Sequence, residues 1–172
     1  MGRIEVEPFR QKPGYCGPGA LKIALSAFDI DKSEDELAKL ATTNDSELVR
    51  TGGTEHEGMI AAAKALGMSV FIKEEATIAD LEYFINEEKL PAIVGWFDTD
   101  DDHYSVAVEI TEHEVVLADS SWLGPERRIS RELFPHIWFD FVGAGNHKVS
   151  WGWLMVITPQ KKEFKIEGGE YH

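Results

Sequence analysis

The chain holds one cysteine, Cys16, inside the stretch "QKPGYCGPGALKIAL". A thiol attacks a carbonyl as its thiolate, which forms beside a cation, at a helix N-terminus, or where the two meet. Local sequence supplies the helix. Pro18 suits a first helical turn, and Ala20, Leu21, Ala24, Leu25 and Phe28 recur as one apolar helical face. The first N–H groups of that helix point back toward the sulfur, and Gly17 and Gly19 leave room for a substrate backbone. A small, inert core cysteine fits the same position.

A thiol nucleophile needs a base, and the base needs an orienting group. His103 opens the strand pattern "HYSVAVEI", and Asp119 closes the next one, "EVVLAD". If the two strands pair as a hairpin across the turn near Glu112 and His113, both residues fall at one end of a sheet. Taken singly, His103 reads as a solvated strand start and Asp119 as a turn former. His113 belongs to turn surface, and His136, His147 and His172 lack companions at metal spacing. Asp98, Asp100, Asp102 and Glu109 are spaced as in a calcium loop, but His103 occupies the place of the sharp-turn glycine. Glu55 and Glu57 around His56 suit a helix first turn, where acids meet the dipole favourably. No nucleophile elbow, phosphate loop or dinucleotide fingerprint is present, and no cofactor or metal is expected.

The elements that must hold these residues are helical first and extended later. Ser33 with Glu36, Thr54 with Glu57, and Thr77 with Asp80 are capping patterns ahead of apolar periodicity, and Gly67 is a left-handed stop. "TTNDSELVRTGG" is a polar loop, and "MSVFI" is a strand. After residue 90 come "PAIVGWF", "HYSVAVEI", "EVVLAD" and a closing strand over "HKVSWGWLMVITP", with one helical turn over Ser130 to Phe134 stopped by Pro135. The order argues α+β, a helical layer on an antiparallel sheet. The tail "QKKEFKIEGGEYH" is expected to fray.

At 172 residues the chain suits one domain spanning residues 1–172, able to bury a core without disulfides. A single cysteine and an N-terminus without an apolar signal region point to a cytoplasmic protein. No apolar run is long enough for a membrane span. With 17 Lys+Arg against 31 Asp+Glu, the net charge of -14 repels a phosphate backbone, so nucleic acid is not an expected partner.

"QKPGYCGP" leading into a helix, then "DHYSVAV" and "LADSSW", resembles the papain-like cysteine peptidases of the bacteriocin-processing, double-glycine-leader type. The "YCG" helix start is also similar to phytochelatin synthases. The resemblance runs from about residue 9 to residue 123. It implies a papain-like fold, with the nucleophile on an N-terminal helical part packed on a C-terminal antiparallel sheet. It further implies that Cys16 is the nucleophile, His103 the general base and acid, Asp119 its orienting residue, and Gln11 the side-chain donor of the oxyanion hole. In the family the glutamine stands one residue further from the cysteine, where this chain has Arg10, so Gln11 requires a shortened loop. Trp122 is in place to cover the His–Asp pair. The substrate class so implied is a peptide or small amide, cleaved through a thioester. Acyl transfer to an amine, and a binding module with an idle site, use the same residues. No transporter segment is expected, so neither double-glycine specificity nor secretion follows.

Asp98, Asp100, Asp101 and Asp102 precede His103, with no lysine or arginine between Trp96 and Glu126. They are expected to be exposed and to draw cationic substrate residues to that side of the cleft.

Overall fold

A computed structural model describes residues 2–43, 53–121, 123–143 and 147–172. Its elements are α1 (Cys16–Ser26), α2 (Glu34–Leu40), α3 (His56–Ala65), β1 (Ser69–Lys73) and α4 (Ile78–Glu82), which runs into a π-helical turn (Tyr83–Glu87). They continue with β2 (Ala92–Asp98), β3 (Asp101–Ile110), β4 (Glu114–Ala118), β5 (Glu126–Ser130), α5 (Phe134–Ile137), β6 (Phe139–Val142), β7 (Lys148–Trp151), β8 (Leu154–Thr158) and β9 (Glu170–Tyr171). The main sheet has the order β5-β4-β3-β2-β8-β1-β9 with every pair antiparallel, and β6 pairs with β7 apart from it. The α+β expectation holds, because helices that cannot bury an apolar stripe alone find a sheet face to cover. α1 packs on β3 and β2, and Leu21, Ile23 and Leu25 are shielded from solvent. Each such side chain contributes about 1.5 to 3 kcal/mol of burial free energy.

Ser33 caps α2 by accepting the Glu36 amide at 3.1 Å, and Thr77 and Asp80 form a reciprocal capping box on α4. Thr54 does not cap α3. Glu55 is the N-cap residue there, and the Thr54 hydroxyl instead meets that of Thr43 at 2.6 Å. The long closing strand is two strands in different sheets, broken at Gly152, whose φ of 61° only glycine adopts readily. The turn near Pro135 falls later than expected, at Phe134–Ile137, since proline fits the first turn of a helix and not only its end. The tail does not fray. β9 pairs with β1, and the ring centroids of Tyr171 and Phe71 are 5.0 Å apart, so an aromatic anchor outweighs the polar composition around it. The polar-loop reading of residues 44–52 and the placement of Trp122 lie outside the described residues. No helix among the described residues is long and apolar enough to cross a membrane.

Candidate active site

His103 and Asp119 meet because of strand register. Val106 stands opposite Ala118, so the next position places Asp119 opposite Ser105, and the two-residue period of a strand puts His103 on the face of Ser105. His103 Nε2 is 2.9 and 3.0 Å from the two Asp119 oxygens. The Asp119 side chain is fully buried and also accepts the Ser105 hydroxyl at 2.9 Å and the Ser121 amide at 2.7 Å. Ser105 Oγ in turn accepts the Trp96 indole N–H at 2.9 Å, and the Trp96 and His103 rings meet in a T-shaped contact. A carboxylate only accepts, so Nε2 carries a proton and Nδ1 is left to face a partner. The Cys16 thiol is within hydrogen-bonding reach of the ring. Cys16 is the first residue of α1, and its side chain and His103 line one cleft with a cavity volume of about 130 Å³.

Burial alone would lower the His103 pKa. Hydrogen bonds to Asp119 and Cys16, together with the negative charges they bring, outweigh it and raise the value from 6.5 to about 10. Burial pushes Asp119 upward, but the bond and charge of His103, the Ser121 amide and the Ser105 hydroxyl hold it below the usual aspartate value. Asp119 Oδ2 is also 3.9 Å from Arg127 Nη1.

The acidic run before His103 is not a solvated loop. Thr99 and Asp100 form a tight hairpin turn, Asp98 pairs bidentately with Arg127 at 2.7 and 2.8 Å, and Asp102 turns inward to accept the Phe141 amide at 3.1 Å. Only Asp100 and Asp101 are exposed. The counter-cation was invisible in sequence because Arg127 arrives from β5, across β4 and β3. Glu109 is carried along β3 to the neighbourhood of Arg3, away from the aspartates. Among the described residues no group of three or more His, Cys, Asp or Glu is placed to hold a metal.

Gln11 lies beside the first turn of α1. Its amide N–H donates to the Ser120 carbonyl at 2.8 Å, and its Oε1 accepts the Ser120 hydroxyl at 2.7 Å. The Lys12 carbonyl, which can only accept, marks the other end of the carboxamide as the donor. Nε2 reaches the Lys12 carbonyl at 3.3 Å and has a second N–H besides. The Lys12 amide is tied to Glu34 at the start of α2 at 2.9 Å, which anchors the loop between Gln11 and Cys16. Gly17 and Gly19 do not open space for a substrate. A Cβ on Gly17 would stand 2.5 Å from Thr54 Oγ1, and one on Gly19 would run into Ser120, so both glycines let neighbouring side chains close on the helix.

A second histidine–carboxylate pair faces the same cleft. His56 Nε2 is 2.6 Å from Asp140 Oδ2, both residues are buried, and the His56 ring stacks on Trp153 at 4.1 Å. Sequence gave no sign of it, because α3 and β6 are far apart in the chain and both residues sit in unremarkable local patterns.

The peptidase C39 family model matches residues 9–142. An uncharacterised protein of Methanothermobacter marburgensis is 36% identical over 130 residues, covering 74% of this chain and 80% of that protein. The pediocin PA-1 transport/processing ATP-binding protein of Pediococcus acidilactici is 29% identical over 125 residues, 72% of this chain and 16% of that protein. Among solved structures, the peptidase domain of Streptococcus ComA superposes with a TM-score of 0.68 at 21% identity, covering 91% of this chain and 99% of the domain. A double glycine motif protease from an AMS/PCAT transporter, in complex with the leader peptide, gives 0.65 at 16% identity, covering 93% and 96%. The chain belongs to the peptidase C39 family and is a papain-like cysteine peptidase.

Proposed function

We propose that residues 1–172 act as one peptidase unit in which Cys16 is the nucleophile, His103 the proton carrier, Asp119 its orienting residue and Gln11 an oxyanion donor. His103 Nδ1 holds the proton drawn from the thiol, and the thiolate attacks the scissile carbonyl. The tetrahedral oxyanion is met by Gln11 Nε2 and the Cys16 amide, the first N–H of α1. As the C–N bond breaks, His103 returns its proton to the departing amine and leaves a thioester on Cys16. Water then attacks the thioester while His103 accepts its proton, releasing the acid and the thiol. Asp119 keeps the proton on Nε2 throughout, which leaves Nδ1 to hold and return the thiol proton.

The observation that carries this reading is the contact of His103 Nε2 with both Asp119 oxygens, while the same ring lies within reach of the thiol at the start of α1. The substrate is a peptide. The AMS/PCAT relative is named for a double glycine motif and was solved with a leader peptide, and the pediocin relative is named for processing. On that likeness we assign a leader-type peptide to this cleft. The test is a panel of leader-type and unrelated peptides incubated with the wild-type chain and with Cys16→Ala, with products read by mass spectrometry. Cleavage by the wild type alone is expected. Cleavage that persists in Cys16→Ala removes the thiol from the mechanism.

A further inference from the structure

The cleft is lined by more acid than its chemistry uses. Beside Cys16 and His103 it presents Glu55 and His56 from the start of α3, Asp101 and Asp102 from β3, and Asp140 from β6, and no lysine or arginine is among its described lining residues. Asp140 is 4% exposed, and its Oδ2 meets His56, but its Oδ1 is buried with no hydrogen-bond partner. Asp102 repeats the pattern: Oδ2 accepts the Phe141 amide, and Oδ1 is buried with no partner. Orphaned carboxylate oxygens are among the costliest polar atoms to bury, and a cleft whose lining holds two of them leaves acceptors for a donor from outside.

The surroundings are shaped around these carboxylates. Gly95 on β2 lies beneath Asp140, and a Cβ there would stand 2.6 Å from Asp140 Oδ2. His56 cannot swing to serve both acids, because Trp153 stacks on its ring and its Nε2 is already given to Asp140. Burial first, then the neighbouring charges of Asp140 and Asp101, raise the Asp102 pKa to about 6, against the opposing pull of the Phe141 amide and His56. A ligand that brings several N–H donors and a positive charge would satisfy both orphaned oxygens at once. An ammonium has three such donors and a guanidinium five.

We propose that Asp102 and Asp140, with Glu55 beside them, form a subsite for a cationic group, the ammonium or guanidinium of a substrate residue close to the scissile bond. The position beside the scissile bond rests on Cys16 being the nucleophile; the cation site itself does not.

The test uses capped peptidyl chloromethyl ketones that carry lysine or norleucine at the ketone-bearing residue or at either of the two before it. The two side chains share a four-carbon stem and differ by the terminal ammonium. Rates of Cys16 labelling are normalised to the reaction of each probe with glutathione. At one position lysine is expected to exceed norleucine by at least about tenfold, the scale of one charge-assisted hydrogen bond. In Asp102→Asn the ratio should fall below about threefold. In parallel, capped lysine and norleucine amides are titrated into the Cys16→Ala chain, with amide shifts followed at Asp102 and Phe141. Saturable shifts with lysine alone support the subsite even if the thiol proves unreactive, an outcome that counts against the function and not the cation site. A reactive thiol with lysine-to-norleucine ratios below about twofold at every position, and no lysine-specific shifts, overturns the subsite and leaves the peptidase reading intact. Equal binding of both amides, as an ordered water at the two oxygens would produce, overturns it as well.

Discussion

Replacing Asp119 with asparagine removes one charge while keeping most of the local hydrogen bonding. Oδ1 can still accept from the Ser121 amide at 2.7 Å and from His103 Nε2 at 2.9 Å. The new amide nitrogen falls where Oδ2 was, 2.9 Å from Ser105 Oγ, which must then accept it in addition to the Trp96 N–H. The same nitrogen also stands 3.0 Å from His103 Nε2, donor against donor, so the variant removes the charge and one of the two contacts that keep the proton on Nε2. The rise of the His103 pKa from 6.5 to about 10 corresponds to about 5 kcal/mol at about 1.4 kcal/mol per pH unit, and it is shared between Asp119 and Cys16. An opposite charge in contact typically moves a pKa by about 1 to 3. Asp119→Asn should therefore bring His103 from about 10 down to roughly 7 to 9.

The sign for stability follows from the same numbers. His103 has its folded value above the unfolded one, so its contribution is complete below 6.5 and is lost as pH rises through about 10. Asp119 has its folded value lowered, so its contribution is present above 3.8 and is lost as pH falls below that. Both are complete between about pH 4 and 6.5, where Asp119→Asn should cost on the order of 2 kcal/mol, and the His103 share of that difference should be lost as pH rises through about 10. The assay is a titration of the ¹⁵N-labelled His103 ring, with urea unfolding at pH 5.5, 8 and 10.5. A His103 midpoint unchanged in Asp119→Asn, or a stability difference equal at all three pH values, would refute the reasoning.

Iodoacetamide should alkylate Cys16 at about pH 6 much faster than a free thiol; a rate that rises only toward the free-thiol pKa of about 8.5 would return Cys16 to an inert role. With a cleavable peptide in hand, His103→Ala should abolish turnover while Asp119→Ala leaves a measurable remainder, and loss of activity in His136→Ala or His147→Ala with His103→Ala active would break the assignment. Gln11→Ala should lower kcat by about 100- to 1,000-fold with the fold intact by circular dichroism, and a change under about fivefold would take Gln11 out of the oxyanion site. Phe164→Ala should lower unfolding stability by about 2 kcal/mol in urea, because its ring bridges Phe71 and Phe84 under the C-terminal tail; no change would mean that the tail packs without contributing.

Sequence revealed the parts of this site that share a strand or a helix start. The helix after Cys16 follows from local periodicity, and the hairpin brings His103 and Asp119 to one end of the sheet; that they share a face depends on the β-bulge between Ala107 and Glu109, without which Asp119 would stand opposite Val106. Ser105 and Ser121 were within sight by the same logic. Each lies two residues from a member of the pair, where the two-residue period or an Asx turn brings it back to the same carboxylate. What escaped was whatever depends on long-range register. Arg127 joins Asp98 only because β5 follows β4 at the sheet edge, and Asp140 reaches His56 only through the separate β6–β7 ribbon. The tail misled because composition carries no information about a partner strand, and β1 supplied one.

The two halves of the site are positioned by different means. His103 and Asp119 belong to a sheet whose geometry is set by a ladder of backbone hydrogen bonds, whereas Gln11 rides on a loop held by side chains. Ser120 joins the halves: it follows Asp119 directly, its carbonyl takes the Gln11 amide, and its hydroxyl takes the Gln11 carboxamide oxygen. The same residue packs into the space that Gly19 leaves on the first turn of α1, close to the helix start that carries Cys16. Asp119, Gln11 and the helix that carries Cys16, the residues to which we assign the orienting, oxyanion and nucleophile roles, are thus referenced to one dipeptide, Asp119–Ser120. A displacement of β4 would move all three together, which preserves their mutual geometry where three independent supports would each add their own error. The Gln11 carboxamide takes its position from Ser120, which is how the assigned oxyanion role is compatible with its spacing from Cys16.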